Sequence, residues 1–330
     1  MRLTQLVESL PEGRWRCGVC QWRCTLEIDQ IGRCLVRRGL AEGISIEHDG
    51  MVSAAEVSAV EDHRLWHLLP GTPVLALGGW GYAFPSDQQR GAYTQPPEDP
   101  AKRRRLEPER AAKFALDRLC RGVVWNYSDP SVTAEYVHDL LAVSRANSRY
   151  TAIVTSGYAT PEALDLYGHY LDAVGLELRA FDDAAYARLG GVEHWRGILE
   201  FAERAVRRWG CHIEVTTRLH PGVNDAPEQI QAMAGWIRDT LGPHTAWHIL
   251  PGDAGSAAAA TVGRARRLGH EAGLHFIYVG DQSQSTQCFS CGVTVITRSP
   301  AGVRVTGLDN GRCNNCGTDL RIRTSIFKRG

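Results

Sequence analysis

Apolar and polar positions fall into two alternating patterns along the middle of the chain. Short apolar runs bounded by turn residues predict strands at Pro73–Gly78, Gly122–Tyr127, Thr151–Thr155, Leu176–Ala180, Cys211–Thr217, Thr245–Leu250 and His275–Val279. Between them, stretches of helical period predict helices at Glu107–Leu119, Val132–Arg145, Pro161–Leu171, Glu193–Trp209, Ala226–Leu241 and Ala257–Glu271. The start of one is marked by Thr160-Pro161-Glu162, an N-cap followed by proline in the first turn. In the Glu193–Trp209 segment, Ile198, Leu199, Ala202, Val206 and Trp209 share one face. Repeating βα units of this kind predict an α/β fold with a parallel sheet and helices outside it. The period leaves open whether the sheet closes into a barrel.

A site in such a fold lies at the carboxyl ends of the strands. The loops there are polar: Gly81–Arg90, Ser128-Asp129-Pro130, Ser156-Gly157-Tyr158, Arg179 with Asp182, Arg218–Asp225 and Pro251–Asp253. Loops are polar in any protein, so none of these residues is a site on that ground alone. The basic run Lys102–Arg105 reads as a solvated loop ahead of a helix.

Charge narrows the classes of partner. Lysine and arginine total 37, as do aspartate and glutamate, so no positive field favours nucleic acid. No apolar run reaches membrane-spanning length, and the N-terminal MRLTQLVESLPEGRWR has no apolar core of a secretion signal; a cytoplasmic location is expected.

Ten cysteines in a reducing compartment then require another explanation. Cys120 and Cys211 stand apart, each beside a strand, and read as small buried hydrophobes. The other eight form two sets. Cys288-x2-Cys291-Gly and Cys313-x2-Cys316-Gly, separated by 21 residues, are paired knuckles in which glycine permits the tight turn that aims amides at the sulfurs. Four such thiolates suit tetrahedral zinc in a structural role, or iron as in rubredoxin. The segment between them reads as hairpin material. Cys17-x2-Cys20-x3-Cys24-x9-Cys34 also indicates a metal, either zinc or a 4Fe-4S cluster. After it, Gly43–Val57 reads as a hairpin turning at Asp49-Gly50. Three modules are therefore expected: residues 1–70 with the first cysteine set, a barrel over 71–282, and a zinc-ribbon or rubredoxin-like module over 283–330.

These residues carry a family resemblance over nearly the whole chain. The block ending GRCLVRR, WHLLPG at 66–71, NYSDPS at 126–131, VTSGYATPEAL at 154–164, LELRAFDD at 176–183, EVTTRLHPGVND at 214–225, WHIL at 247–250 and IYVGD at 277–281 occur in order. With the double knuckle, they make the chain resemble the radical SAM proteins of the AmmeMemoRadiSam system, relatives of the pyruvate formate-lyase activating enzymes. The resemblance implies a partial (β/α)6 barrel of radical SAM type. It also implies Memo-like and AMMECR-like proteins as partners.

One loop departs from the family. After the first barrel strand, the family places G-C-N-F-x-C-x-F-C-Q-N, whose three cysteines hold a 4Fe-4S cluster that anchors S-adenosylmethionine. Here the loop runs Gly81-Tyr82-Ala83-Phe84-Pro85-Ser86-Asp87-Gln88-Gln89-Arg90, with Tyr82, Ser86 and Gln89 at the cysteine positions. Oxygen and amide groups do not replace thiolates on such a cluster. Elsewhere in the cleft Asp129, Ser156, Gly157, Glu177 and Arg179 keep polar character where the family has N-E-P, N-G-Y, Asp and Lys, so they are the candidate residues for a nucleoside or other small ligand. The expectation is a metal-binding pseudoenzyme or scaffold. The alternatives are a redox enzyme with its cluster on the N-terminal cysteines, and rubredoxin-like electron transfer at the C-terminus.

Overall fold

The computed structural model describes residues 2–252, 256–280 and 283–326. Asp253 and Asp281, named among the loop and motif residues above, lie outside them. Strands and helices alternate as the pattern predicts, and the chain packs as two compact units that share its sequence. The first comprises Met1–Ser58, Pro73–Val174 and Gly190–Cys211; the second comprises Ala59–Thr72, Gly175–Leu189 and His212–Gly330.

In the first unit, Pro73–Gly78, Gly122–Trp125 and Tyr150–Thr155 form parallel strands, with Val123 in register with both Leu75 and Thr151. Their residues are buried almost throughout, which is why they read as continuous apolar runs and not as alternation. Helices Pro108–Asp117, Ala134–Ala146 and Pro161–Gly168 follow the strands. Thr160 caps the last of these, its hydroxyl accepting from the Ala163 amide at 3.1 Å, as the sequence predicts.

The N-terminal segment is a set of short antiparallel strands. Arg14–Cys17 lies between Val7–Leu10 and Thr25–Leu26, and Arg37–Leu40 pairs with Gly43–Ile46. The expected hairpin over Gly43–Val57 is not formed. The chain does turn at Gly50, where φ is +74°, but Gly43–Ile46 pairs backward with Arg37–Leu40. Met51–Val52 instead pairs with Arg104–Arg105, so half of the basic run is a short exposed strand.

In the second unit, His212–Leu219, Trp247–Pro251 and Ile277–Val279 are parallel, with Val215, Trp247 and Ile277 in register. Pro227–Trp236 and Ser256–Glu271 are its main helices, and the former ends in a π turn over Ile237–Leu241. Thr294–Ser299 and Gly302–Val305 form the hairpin expected between the knuckles.

Several boundaries differ from the sequence reading, among them the following two. The strand placed at Leu176–Ala180 is Ala173–Glu177, because the ladder settles on the buried residues before Glu177 and leaves Arg179 in a loop. The single helix placed at Glu193–Trp209 is Arg196–Arg207, preceded by a separate helix Asp183–Gly190. Gly190 and Gly191 interrupt the chain between them, Gly191 at φ +72°. Among the described residues, no helix is long and apolar enough to cross a membrane.

Candidate metal centres and the altered cluster loop

The C-terminal cysteines come together as their spacing requires. The Sγ atoms of Cys288, Cys291, Cys313 and Cys316 all lie within 4.8 Å of one another. Cys288 is 3.6 Å from Cys316, and Cys291 is 3.7 Å from Cys313. A tetrahedral ion with metal–sulfur bonds of about 2.3 Å sets sulfurs about 3.8 Å apart, so the set fits such an ion. Gly292 and Gly317 both have φ +75°, and their amides donate to the carbonyls of Cys288 and Cys313 at 2.8 Å. Amides also face the sulfurs: those of Ser290 and Cys291 face Cys288, that of Val293 faces Cys291, and that of Thr318 faces Cys316. Hydrogen bonds from the Thr318 hydroxyl and amide draw Cys316 down to about 6, whereas burial pushes Cys288 up to about 11. A thiolate already favoured at Cys316 is a ready first ligand.

The N-terminal cysteines form a looser group. Cys17, Cys20 and Cys34 are buried and Cys24 is half-buried. Among the described residues, the N-terminal set does not form the compact grouping seen at the C-terminus. Burial raises Cys17, Cys20 and Cys34, the last to about 11, and each of the three is raised further by charge on its neighbours in the set. The amides of Val19, Trp22 and Val36 face Cys17, Cys20 and Cys34, and each is two residues ahead of its sulfur. Cys291 with Val293 and Cys316 with Thr318 use the same offset. Beside the set, the buried Arg37 guanidinium is gripped by Glu135 at 2.9 and 2.7 Å.

The loop Gly81–Arg90 is folded against this N-terminal segment. Pro85–Arg90 is a short helix, which places Ser86 and Gln89 on a helical turn and Tyr82 before it. Tyr82 donates its hydroxyl to the Tyr127 carbonyl at 3.0 Å, and its ring lies over Gly91. Ser86 is buried and Gln89 exposed. Trp22 Nε1 donates to the Ala83 carbonyl at 2.7 Å, and Gln88 Nε2 donates to the carbonyls of Arg33 and Tyr82. Gly81, at φ +91°, is so close that a Cβ would meet Val36 Cγ2 at 2.3 Å and the Cys34 carbonyl at 2.8 Å. Tyr82, Ser86 and Gln89 offer hydroxyl and amide groups and no thiolate, so these residues do not fit an iron–sulfur cluster.

The remaining cleft candidates fall into both units. Asp129, in the first, accepts from the Ser131 amide at 3.0 Å, the Ser131 hydroxyl at 2.7 Å and the Ser156 hydroxyl. It therefore caps the turn Pro130–Thr133. Gly157, at φ +73°, donates its amide to Thr155 Oγ1 at 3.0 Å. Glu177 and Arg179 belong to the second unit and stand 3.9 Å apart. The Arg179 guanidinium donates to the Leu189 carbonyl at 3.0 Å. Cys120 and Cys211 are buried, as their reading as hydrophobes predicts.

A buried polar network in the second unit escaped the sequence reading. The Glu214 carboxylate accepts from the amides of Trp66 and His67 at 3.0 and 2.7 Å, and from Nε2 of His212 and His248 at 3.0 and 2.9 Å. These donors hold it well below the usual carboxylate range although burial opposes them. His67 Nε2 is 2.7 Å from the Tyr278 hydroxyl, which is 2.7 Å from Thr286 Oγ1. Arg298 donates to that same Thr286 oxygen at 2.7 Å and stacks over Trp66 at 4.8 Å. The available signal was the set of motifs itself: WHLLPG, EVTTRLHPGVND, WHIL and IYVGD each contribute a member.

Comparison with known proteins agrees with the resemblance in part. No family model matches the chain. An uncharacterised protein of Methanocaldococcus jannaschii is 26% identical over 98% of this chain and 99% of its own length. The isethionate sulfite-lyase activating enzyme of Oleidesulfovibrio alaskensis is 26% identical over 34% of this chain and 37% of the enzyme. The pyruvate formate-lyase-activating enzyme of Clostridium pasteurianum is 27% identical over 38% of this chain and 51% of the enzyme. The chain thus spans 37% of the first enzyme and 51% of the second. Among solved structures, a radical SAM methyltransferase from Sphaerobacter thermophilus matches with 15% identity and a TM-score of 0.47, covering 65% of this chain and 68% of that one. By sequence the chain therefore has relatives among activating enzymes of the pyruvate formate-lyase-activating type.

Proposed function

We propose that this chain is a radical SAM relative that does not cleave S-adenosylmethionine and acts as a metal-binding scaffold. The loop Gly81–Arg90 carries the reading: by the resemblance its three ligand positions are Tyr82, Ser86 and Gln89, and it is bound to the N-terminal segment by Trp22 donating to the Ala83 carbonyl and by the Gln88 side chain donating to the Arg33 carbonyl. Reductive cleavage needs an iron with an open position and an electron supply, and neither can be held by a phenol, a hydroxyl and an amide. The C-terminal cysteines, within 4.8 Å of one another, would hold zinc or iron in a folding role. Memo-like and AMMECR-like partners extend the reading by resemblance.

A second reading places a redox cluster on Cys17, Cys20, Cys24 and Cys34, favoured by the burial of Cys17, Cys20 and Cys34 beside the altered loop. Metal and sulfide analysis of anaerobically purified protein, with its ultraviolet–visible spectrum, separates the two. The scaffold reading expects metal without sulfide and no 5′-deoxyadenosine when S-adenosylmethionine and dithionite are added. Acid-labile sulfide with reductive cleavage would replace it by the redox enzyme.

A further inference from the structure

The two knuckles of the C-terminal site are built alike. The Cys288 amide donates to the Val293 carbonyl at 2.8 Å, and the Cys313 amide donates to the Thr318 carbonyl at 2.9 Å. Val293 and Thr318 each follow a glycine at φ +75° and stand two positions beyond the second cysteine of their knuckle. Their side chains differ by one group, a hydroxyl in threonine where valine has a methyl. Thr318 Oγ1 lies 3.2 Å from Cys316 Sγ. The main chain around Thr318 is held on its other side as well: Asp319 forms a β-bridge with Arg312, whose Nη1 donates to the Gly317 carbonyl at 3.1 Å. A β-branched side chain is stiff at χ1, so a main chain fixed in this way also fixes where the hydroxyl points. Cys288 and Cys313 are enclosed by the core, whereas Cys291 and Cys316 are exposed. The placement of the Cys316 sulfur therefore depends on its own knuckle.

We infer that Thr318 is a positioning residue for a metal ion on Cys288, Cys291, Cys313 and Cys316, donating its hydroxyl to the metal-bound Cys316 thiolate. This rests on the reading of those four cysteines as a metal site, which their spacing within 4.8 Å of one another fits. Metal binding deprotonates the sulfur and leaves it an acceptor only, so the hydroxyl becomes the donor of the pair. A hydrogen bond to a charged acceptor is roughly twice as strong as one between neutral groups. The bond then holds an exposed ligand in the orientation the ion needs.

The test uses the full-length protein, prepared anaerobically and loaded with zinc or cobalt(II). The equivalent lost when both exposed ligands are removed, in Cys291→Ala with Cys316→Ala, is the C-terminal one. Thr318→Val, which gives the second knuckle the residue of the first, should weaken that equivalent about 10-fold in chelator competition, as loss of a ligand's outer hydrogen bond does. It should also move the thiolate-to-cobalt band to lower energy, because a thiolate without that bond gives up electron density more readily. Thr318→Ser should restore both affinity and band, and the thermal midpoint of the metal-free protein should be the same in all three. Unchanged affinity and band in Thr318→Val, with one equivalent lost in the double alanine variant, would overturn the role of Thr318 alone. Failure of serine to restore them would assign the loss to packing and overturn that role too. No equivalent lost in the double alanine variant would overturn the metal site and the inference together.

Discussion

Arg37 and Glu135, 98 positions apart and each 1% exposed, face one another as a two-point ion pair. The pair fastens the cysteine-bearing segment to the helix Ala134–Ala146. Thr4 adds a third donor to the same carboxylate, and Arg37 Nε donates to the Val132 carbonyl at 3.1 Å. Glu135→Ala leaves a buried guanidinium uncompensated and should cost about 3–5 kcal/mol in urea denaturation. Replacing both by apolar residues, Arg37→Met with Glu135→Leu, should recover most of the loss. A single-variant cost below about 1 kcal/mol would show that the pair does not fasten the segment.

The same carboxylate sets a pH dependence. Burial raises Glu135, but the charge and hydrogen bonds of Arg37 outweigh it and hold the folded-state value below 4.5. A depressed folded value gives stability that is present above about pH 4.5 and lost as pH falls through the folded value. Acidification through that range should therefore lower the stability of wild type relative to the Arg37→Met, Glu135→Leu protein. Parallel curves would contradict the assignment.

His67 acts over a different window. Burial lowers it from 6.5 to about 3, so it stays neutral in the folded state where the unfolded chain takes up a proton. The unfolded state thus binds more protons between pH 3 and 6.5, and stability rises with pH there. His67→Gln should flatten that slope by roughly one bound proton, read from denaturation midpoints at constant m-value.

Glu214→Gln keeps the shape but replaces a four-fold acceptor by an amide whose NH2 faces another donor. A loss of about 3 kcal/mol is expected, since a buried donor is left without an acceptor and a charge-assisted bond is removed. Near-ultraviolet circular dichroism should report it, because Trp66, His248 and Tyr278 pack ring to ring beside the carboxylate.

Metal removal from the C-terminal site should loosen the core that surrounds it. Cys288 and Cys313 are buried with Trp66, Phe276, Tyr278, Val295, Ile296, Leu320 and Ile322 in one cluster. Chelation, or Cys316→Ser, should open 283–326 to limited proteolysis and shift tryptophan fluorescence through Trp66. Unchanged protection after complete metal loss would mean that apolar packing alone holds the module.

Local periodicity made the strands and helices legible, because packing on both faces leaves continuous apolar runs and on one face leaves helical stripes. The C-terminal site was legible for a similar reason: Cys-x2-Cys-Gly prescribes its own turn, and Gly292 and Gly317 take the φ it requires. The Gly43–Val57 hairpin misled because the Asp49-Gly50 turn is real, while strand pairing is settled by Arg37–Leu40 and Arg104–Arg105 far from the turn. Glu214 was not legible as the centre of a network. A carboxylate in an alternating strand resembles a solvent-facing residue until Trp66, His67 and His248 are brought around it by tertiary packing. The packing of Gly81 on Val36 was equally hidden, since the residues are 45 positions apart.

The amides two residues beyond Cys17, Cys20, Cys34, Cys291 and Cys316 give both cysteine sites a support made of main chain. Such support is indifferent to side-chain identity, so Val19, Trp22, Val36 and Val293 can vary in evolution without altering it, whereas Thr318 adds its own hydroxyl at Cys316. Proline is the exception, because it alone deletes the N–H. A proline scan over these five positions would therefore remove one donor from each of those five sulfurs while keeping every cysteine.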